Sequence, residues 1–330
     1  MMISSYETAV FQFQRNYGKR RVTLRRGIMK KSKISIHFDG PIAKDHAIQL
    51  RTFTKTLGHI QSSIDRAYLD LKTDSGIIKN ARLHNEDYGP TDFLMNQTRE
   101  GGFIADLLGT DDDSGEIVKR IDGAVTPAYE KAHIQAQTPD STDRENLLDQ
   151  VQKRLDNYKA GAQQPIPYEK FFVSPDARET RAYGDRSIVK EFDQIASAIR
   201  ARDGDGSSVE ISLSAEQALS TYVFDQRVSA TFHDVVSIRA IGDLVEIPIT
   251  LRSLDSGNGG TSKAKAYNLI SKKEFNLHIH TERGFSSLRR FLKKRNPIKF
   301  SIVACPVYEY GAFDRSAGDM YFIAILKTEL

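Results

Sequence analysis

A chain of 330 residues has the volume for two domains or one large one, and 39% hydrophobic with 27% charged residues fits a soluble globular protein and excludes wholesale disorder. No apolar run approaches the ~20 residues that span a bilayer, no secretory pattern opens the chain, and the single cysteine, Cys305, excludes an internal disulfide and a multi-cysteine zinc site. A cytoplasmic protein of bacterial type is expected, with no membrane role, and the net charge of +4 is unevenly placed: residues 1–28 carry +5 and the rest of the chain −1.

Two readings compete for the stretch RNYGKRRVTLRRGIMKK. A basic arm would neutralise phosphates. The abrupt onset of fold signal after Met29 favours instead a start of translation there, with 1–28 a tail outside the fold. From Lys33, Ile34, Ile36 and Phe38 alternate with Ser35 and His37, the period of a half-buried strand. Asp39-Gly40-Pro41 breaks it, and Asp45 is the expected N-cap of a long helix. Leu50, Phe53, Leu57, Ile60, Ile64, Ala67 and Leu71 form its apolar stripe, with Arg51, Lys55, Ser62 and Arg66 opposite.

Residues 77–83 read as a second strand, and 92–98 with 102–108 as a hairpin around Arg99-Glu100-Gly101. The N-terminal unit is therefore a predicted β-α-β-β-β arrangement, one helix on a mostly antiparallel sheet, with added helices. Thr110 to Gly115 is acidic but lacks the spacing of a calcium loop; it caps a helix marked by Ile117, Ile121 and Val125. Thr142-Asp143-Arg144-Glu145 is a capping box before a helix with Leu147, Leu148, Val151, Leu155 and Tyr158 on one face. Ile188, Phe192, Ile195 and Ile199 mark another.

Residues 203–208 read as a linker between an α+β domain, 29–202, and a mostly β domain, 209–330. In the latter, Val209, Ile211 and Leu213 alternate, and Ser214-Ala215-Glu216-Gln217 is a second capping box opening a short helix. Strands are predicted at 235–241, 245–251, 265–269, 274–281, 298–307 and 320–326. The whole is α+β, ending in a small antiparallel barrel or sandwich with one basic helix, by analogy an oligonucleotide-binding-type or SH3-like barrel.

No catalytic constellation and no cofactor motif emerges. Gly101-Gly102 and 257–260 lack the Lys-Ser/Thr of a phosphate loop. Asp65, Asp70 and Lys72 imitate a nuclease set but sit at a helix end, where solvation accounts for them. Cys305 lies in a strand-like run as an inert thiol. His278 and His280 fall on one face of a strand, as two metal ligands do, without the further ligands a site needs; they also fit a solvated face. The richest patch is 283–297. Phe285, Leu288, Phe291 and Leu292 dock a helix that Pro297 ends, while Arg283, Arg289, Arg290, Lys293, Lys294 and Arg295 offer cations. The pairs Arg289/Lys293 and Arg290/Lys294 place like charges four residues apart, inviting an anionic partner; a solvated basic face competes with that reading.

The stretch FDGPIAKDHAIQLRTFTKTLGHIQSSIDRAY, followed by TREGGFIADLLG, resembles the N-terminal part of a group of uncharacterised bacterial proteins found among mobile-element and defence-associated genes. The resemblance spans residues 33–110, implies a bacterial setting with a phage- or plasmid-related role, and brings no functional residues with it. The expectation is a non-enzymatic protein that contacts DNA or RNA through 283–295. The alternatives are an assembly component with a protein partner or a homo-oligomer, and a metal-dependent hydrolase or nuclease using the His278/His280 pair.

Overall fold

The computed structural model describes residues 32–96, 103–138, 146–174, 176–202, 204–216, 218–257, 262–292 and 297–326. The tail 1–28, the capping box 142–145 and the cations Lys293, Lys294 and Arg295 lie outside them. In chain order the elements are β1 (Lys33–Asp39), α1 (Leu50–Lys72), α2 (Tyr88–Thr91), β2 (Phe93–Met95), β3 (Phe103–Gly109), α3 (Ser114–Gln137), α4 (Leu147–Lys159), β4 (Ile166–Pro167), α5 (Tyr168–Val173), α6 (Tyr183–Arg200), β5 (Ser208–Ala215), β6 (Ala218–Phe224), α7 (Gln226–Val236), β7 (Arg239–Ile241), β8 (Val245–Asp255), β9 (Ser262–Asn268), β10 (Glu274–Ile279), α8 (Glu282–Arg289), β11 (Phe300–Glu309) and β12 (Met320–Ile325).

The alternation in β1 buries Ile34, Ile36 and Phe38 and pairs the strand antiparallel with β3 on one side and β5 on the other. The resulting sheet has the order β2-β3-β1-β5-β6. Its apolar face shares one core with α1, α3, α6 and α7 through Ile60, Ile64, Ile121, Phe192, Ile195 and Phe232. Only the middle of the α1 stripe is covered: Ile60, Ile64 and Ala67 are buried, while Leu50 and Leu71 at its ends are exposed. Helix α6 lies along the flank of α1, so two residues of the expected polar face find partners there. Lys55 Nζ donates to Ser197 Oγ at 2.9 Å and Arg66 Nε to Glu191 at 2.7 Å.

Several expectations are corrected. Asp45 caps nothing: it has a left-handed backbone (φ 53°), and α1 begins at Leu50 after Gln49. Residues 77–83 form no strand, because three of their amides bond elsewhere than in a ladder: Ile77 N–H to Asp70 at 2.9 Å, Lys79 N–H to Asp314 at 2.6 Å and Ala81 N–H to the Ile78 carbonyl at 3.1 Å. Asp70 is therefore no solvated helix end, since it also accepts from Arg120 Nε at 2.7 Å, and Arg120 reaches on to Asp185 at 2.7 Å. Ser214 to Gln217 opens no helix; β5 and β6 form a hairpin with Ala215 opposite Ala218 and Glu216 in the left-handed region (φ 55°). Helix α7 starts later, capped by Asp225, which accepts from Val228 N–H at 2.7 Å. The linker expected at 203–208 does not separate two sheets, because β5 belongs to the first one; Ser207 Oγ also accepts from Ile42 N–H at 3.0 Å. The break between sheets falls instead across α7.

At the end of α1, Lys72 donates to Asp87 at 2.6 Å, with His84 N–H and Tyr68 hydroxyl on the same carboxylate. The Lys72 bond, then the His84 amide, hold Asp87 down to about 2, against an ordinary 3.8. A carboxyl held low in the folded state contributes stability above its unfolded value and loses it as pH falls. Wild type should therefore exceed Asp87→Asn in denaturation midpoint at pH 6, and the gap should close between pH 3.8 and about 2. A gap that stays constant down to pH 2 would disprove this linkage.

The second sheet runs β4-β8-β9-β10-β12-β11-β7, and β8 also pairs with β11. That extra pairing closes five strands into a barrel: β8, β9, β10, β12, β11 and back to β8. All neighbours are antiparallel except β10 and β12, which run parallel. Register shifts in β8 beyond Leu251 and in β11 after Val303 give the curvature closure needs. Helix α8 lies between the third and fourth barrel strands in sequence. This connectivity is that of the oligonucleotide-binding-type barrel. Ile247, Ile249, Ala266, Leu277, Ile302 and Phe322 help fill it, and Leu288 and Phe291 of the α8 segment pack into the same core. Outside it, α4 covers β11 and β12 through Val151, Cys305, Tyr321 and Ile323. Burial there pushes the Cys305 thiol up to about 12, which makes it inert at neutral pH.

Candidate functional site

Alternation in β9 and β10 sends Ala264, Ala266, Phe275, Leu277 and Ile279 into the barrel and leaves Lys263, Lys265, Tyr267, Asn276 and His278 outside. Register aligns Lys263 with His278, and His278 with Tyr321 of β12, so the three form one row across adjacent strands. The His278 and Tyr321 rings are 5.2 Å apart at 32°. Lys263 and Lys265 form no ion pair among the described residues, although Asp255 of β8 stands opposite Lys263 in the register.

The row floors a cleft of about 340 Å³. Its walls come from distant parts of the chain: Lys79, Leu147 at the start of α4, Tyr183 and Arg186 of α6, Arg239 of β7, Glu309 of β11 and the loop from Ala312 to Asp319. Two acids organise the cations. Asp319 accepts from Lys79 Nζ, Asn276 Nδ2 at 3.1 Å and His278 Nε2 at 3.2 Å. Burial alone would raise its pKa, but the His278 and Lys79 bonds outweigh burial and hold the carboxyl well below the usual range. Glu309 pairs with Arg186 and, at 3.3 Å, with Arg239. Burial works against the charged form of Arg186 and lowers its pKa. Asp314 takes no part in binding cations: its oxygens are occupied by the Lys79, Ser316 and Ala317 amides and the Ser316 hydroxyl.

The residues singled out by sequence are not brought together. His278 joins the cleft, with Asp319 beside it, while His280 follows the end of β10 and lines no part of it. Among the described residues no group of three or more His, Cys, Asp or Glu could hold a metal ion, which weakens the metal-dependent hydrolase reading. Helix α8 is capped by Thr281, whose hydroxyl accepts from Gly284 N–H at 3.1 Å, and ends at Arg289. The expected helix through 295 is thus described only as far as Arg289, and Lys293 and Lys294, the partners in the expected like-charge pairs, lie outside the described residues. Arg283, Arg289 and Arg290 are exposed with no described acid in ion-pair reach, and the Arg290 guanidinium sits 4.9 Å over the Phe291 ring. None of the three lines the cleft. Sequence reasoning passed over Lys79, Arg186, Arg239, Lys263 and Glu309. The outward phase of β9 could have flagged Lys263; nothing local marks the others.

Among the described residues no helix is long and apolar enough to cross a membrane. No protein-family model matches the chain, and no curated protein or solved structure shows significant similarity to it.

Proposed function

We propose that the chain is a non-catalytic nucleic-acid-binding protein whose barrel takes a single strand on the outer face of β9 and β10. The observation that carries this reading is the oligonucleotide-binding-type connectivity combined with an exposed pair of cations, Lys263 and Lys265, beside the Tyr267 and His278 rings on the face such barrels use. Lysines supply sequence-independent phosphate contacts and rings supply stacking, which together suit unpaired bases. The α8 patch of Arg283, Arg289 and Arg290 is a second candidate surface for the same backbone charge. The resemblance of residues 33–110 to mobile-element and defence-associated proteins is compatible with a bacterial setting for such binding.

An assembly role draws less support from the edge of the first sheet. The backbone of Val223 on edge strand β6 is already bonded in both directions by the Tyr129 hydroxyl, at 3.1 Å each, which hinders strand addition there.

The test is log affinity against log salt for a single-stranded oligonucleotide with wild type, Lys263→Gln/Lys265→Gln and Arg289→Gln/Arg290→Gln. Loss of two phosphate contacts should lower the slope by about 1.4 in the first variant, at ~0.7 per contact, and leave the second unchanged. The reverse pattern would move the contact to α8. Wild-type binding no tighter than millimolar at low salt would end the nucleic-acid reading.

A further inference from the structure

We infer that the cleft seats the phosphorylated terminus of a single strand, between Arg186 and Arg239, and does not let a strand pass through. This rests on the nucleic-acid reading and adds which part of the polymer is recognised. An open barrel face lets a strand continue in both directions. Here two ion pairs cross from the helical part of the protein to the barrel. Lys79 reaches Asp319 on one rim, and Arg186 of α6 reaches Glu309 on the other. Both are partly withdrawn from water, with side chains 28% and 32% exposed in the first and 16% and 19% in the second. A strand running on past either rim would have to break that pair and displace Tyr183 or the 77–83 segment. The volume of about 340 Å³ is at the low end of the ~300–1,000 Å³ typical of ligand pockets, room for one nucleotide and not a run.

Charge points to a terminal phosphate over an internal one. Glu309 pairs with two guanidiniums, Arg186 and Arg239, and Lys263 on the floor forms no ion pair among the described residues, with Asp255 opposite it on β8. A phosphodiester brings one negative charge, whereas a terminal phosphate brings about −1.5 to −2 at pH 7 and further acceptor oxygens. Planar guanidiniums bind such a group through paired hydrogen bonds. The His278 and Tyr183 rings flank the same space and offer faces for the terminal base.

The experiment uses the full chain and one single-stranded sequence in four forms, followed by fluorescence anisotropy competition: 5′-phosphate, 3′-phosphate, hydroxyl at both ends, and covalently circular. One phosphorylated form should bind about tenfold tighter than the hydroxyl form, the size of one charge-assisted hydrogen bond, and the circle should bind weakest. The polarity of the preference then names the end. Arg186→Gln should erase it. Arg239→Gln, at a side chain 55% exposed, should reduce it even if the Arg186 variant proves unstable. Equal binding of circular and linear strands, or a preference that survives Arg239→Gln, overturns the inference while leaving the nucleic-acid reading intact. No binding of any form overturns both.

Discussion

Phe192→Ala is expected to lower stability by about 3–5 kcal/mol, near the top of what one core truncation costs. Its ring is fully buried at the middle of α6, where the helix meets the sheet, and stands edge-on to Tyr222 of β6 at 6.3 Å. Removing it opens a cavity between elements that carry their own contacts to β1 and α3, so the walls have little freedom to collapse. Leu50→Ala is the comparison: 75% exposed at the first turn of α1, it should cost less than about 0.5 kcal/mol. Urea denaturation of both variants, with unchanged slope, reads the difference. A loss below about 1 kcal/mol for Phe192→Ala would mean that α6 does not dock on the sheet as described.

The second large effect comes from a hydrogen atom. A Cβ at Gly184 would stand 2.3 Å from Asp70 Oδ1 and 2.5 Å from its Cγ. A carboxylate at a side-chain tip usually swings away from such a clash. Asp70 is held by Arg120 and by the Ile77 amide, so moving it strands a partly buried guanidinium and a backbone donor. Gly184→Ala should cost about 3 kcal/mol. In an Asp70→Ala background the same change should add less than about 0.5 kcal/mol, because the obstacle is gone. Gly123→Ala has the opposite sign: this glycine lies in α3 with nothing within 4 Å of a Cβ, and the variant should gain about 0.4–1 kcal/mol. Equal melting temperatures for Gly184→Ala and Gly123→Ala would refute the assignment of Asp70 as a fixed wall.

Periodicity exposes some of this fold and hides the rest for identifiable reasons. Ile34, Ile36 and Phe38, or Phe275, Leu277 and Ile279, have one wet and one dry face, and their alternation survives in sequence. β6 was lost because Leu219 and Val223 are apolar on its outer side while Tyr222 and Phe224 face the core, which blurs the two-residue period. Residues 77–83 resemble a strand in composition, but two of their amides are bound by acids, one of them 235 positions away. The cleft was the least legible feature. His278 could be named from the chain, yet the partnership of Lys79 with Asp319 spans 240 positions and that of Arg186 with Glu309 joins a helix to a strand. Arg186 and Arg239 each look like ordinary surface cations until the barrel brings Glu309 between them.

The place of β5 between β1 and β6 sets the order in which the protein can be made. β1 is synthesised near residue 33, but the strand that completes its second edge does not leave the ribosome until after residue 208. Throughout that interval the nascent chain carries α1, β3, α3 and most of α6 beside a row of unpaired backbone groups. Such an edge invites pairing with another chain. A protein cut at residue 202 would keep that edge for good, so truncations of the C-terminal half should aggregate and not merely lose the barrel.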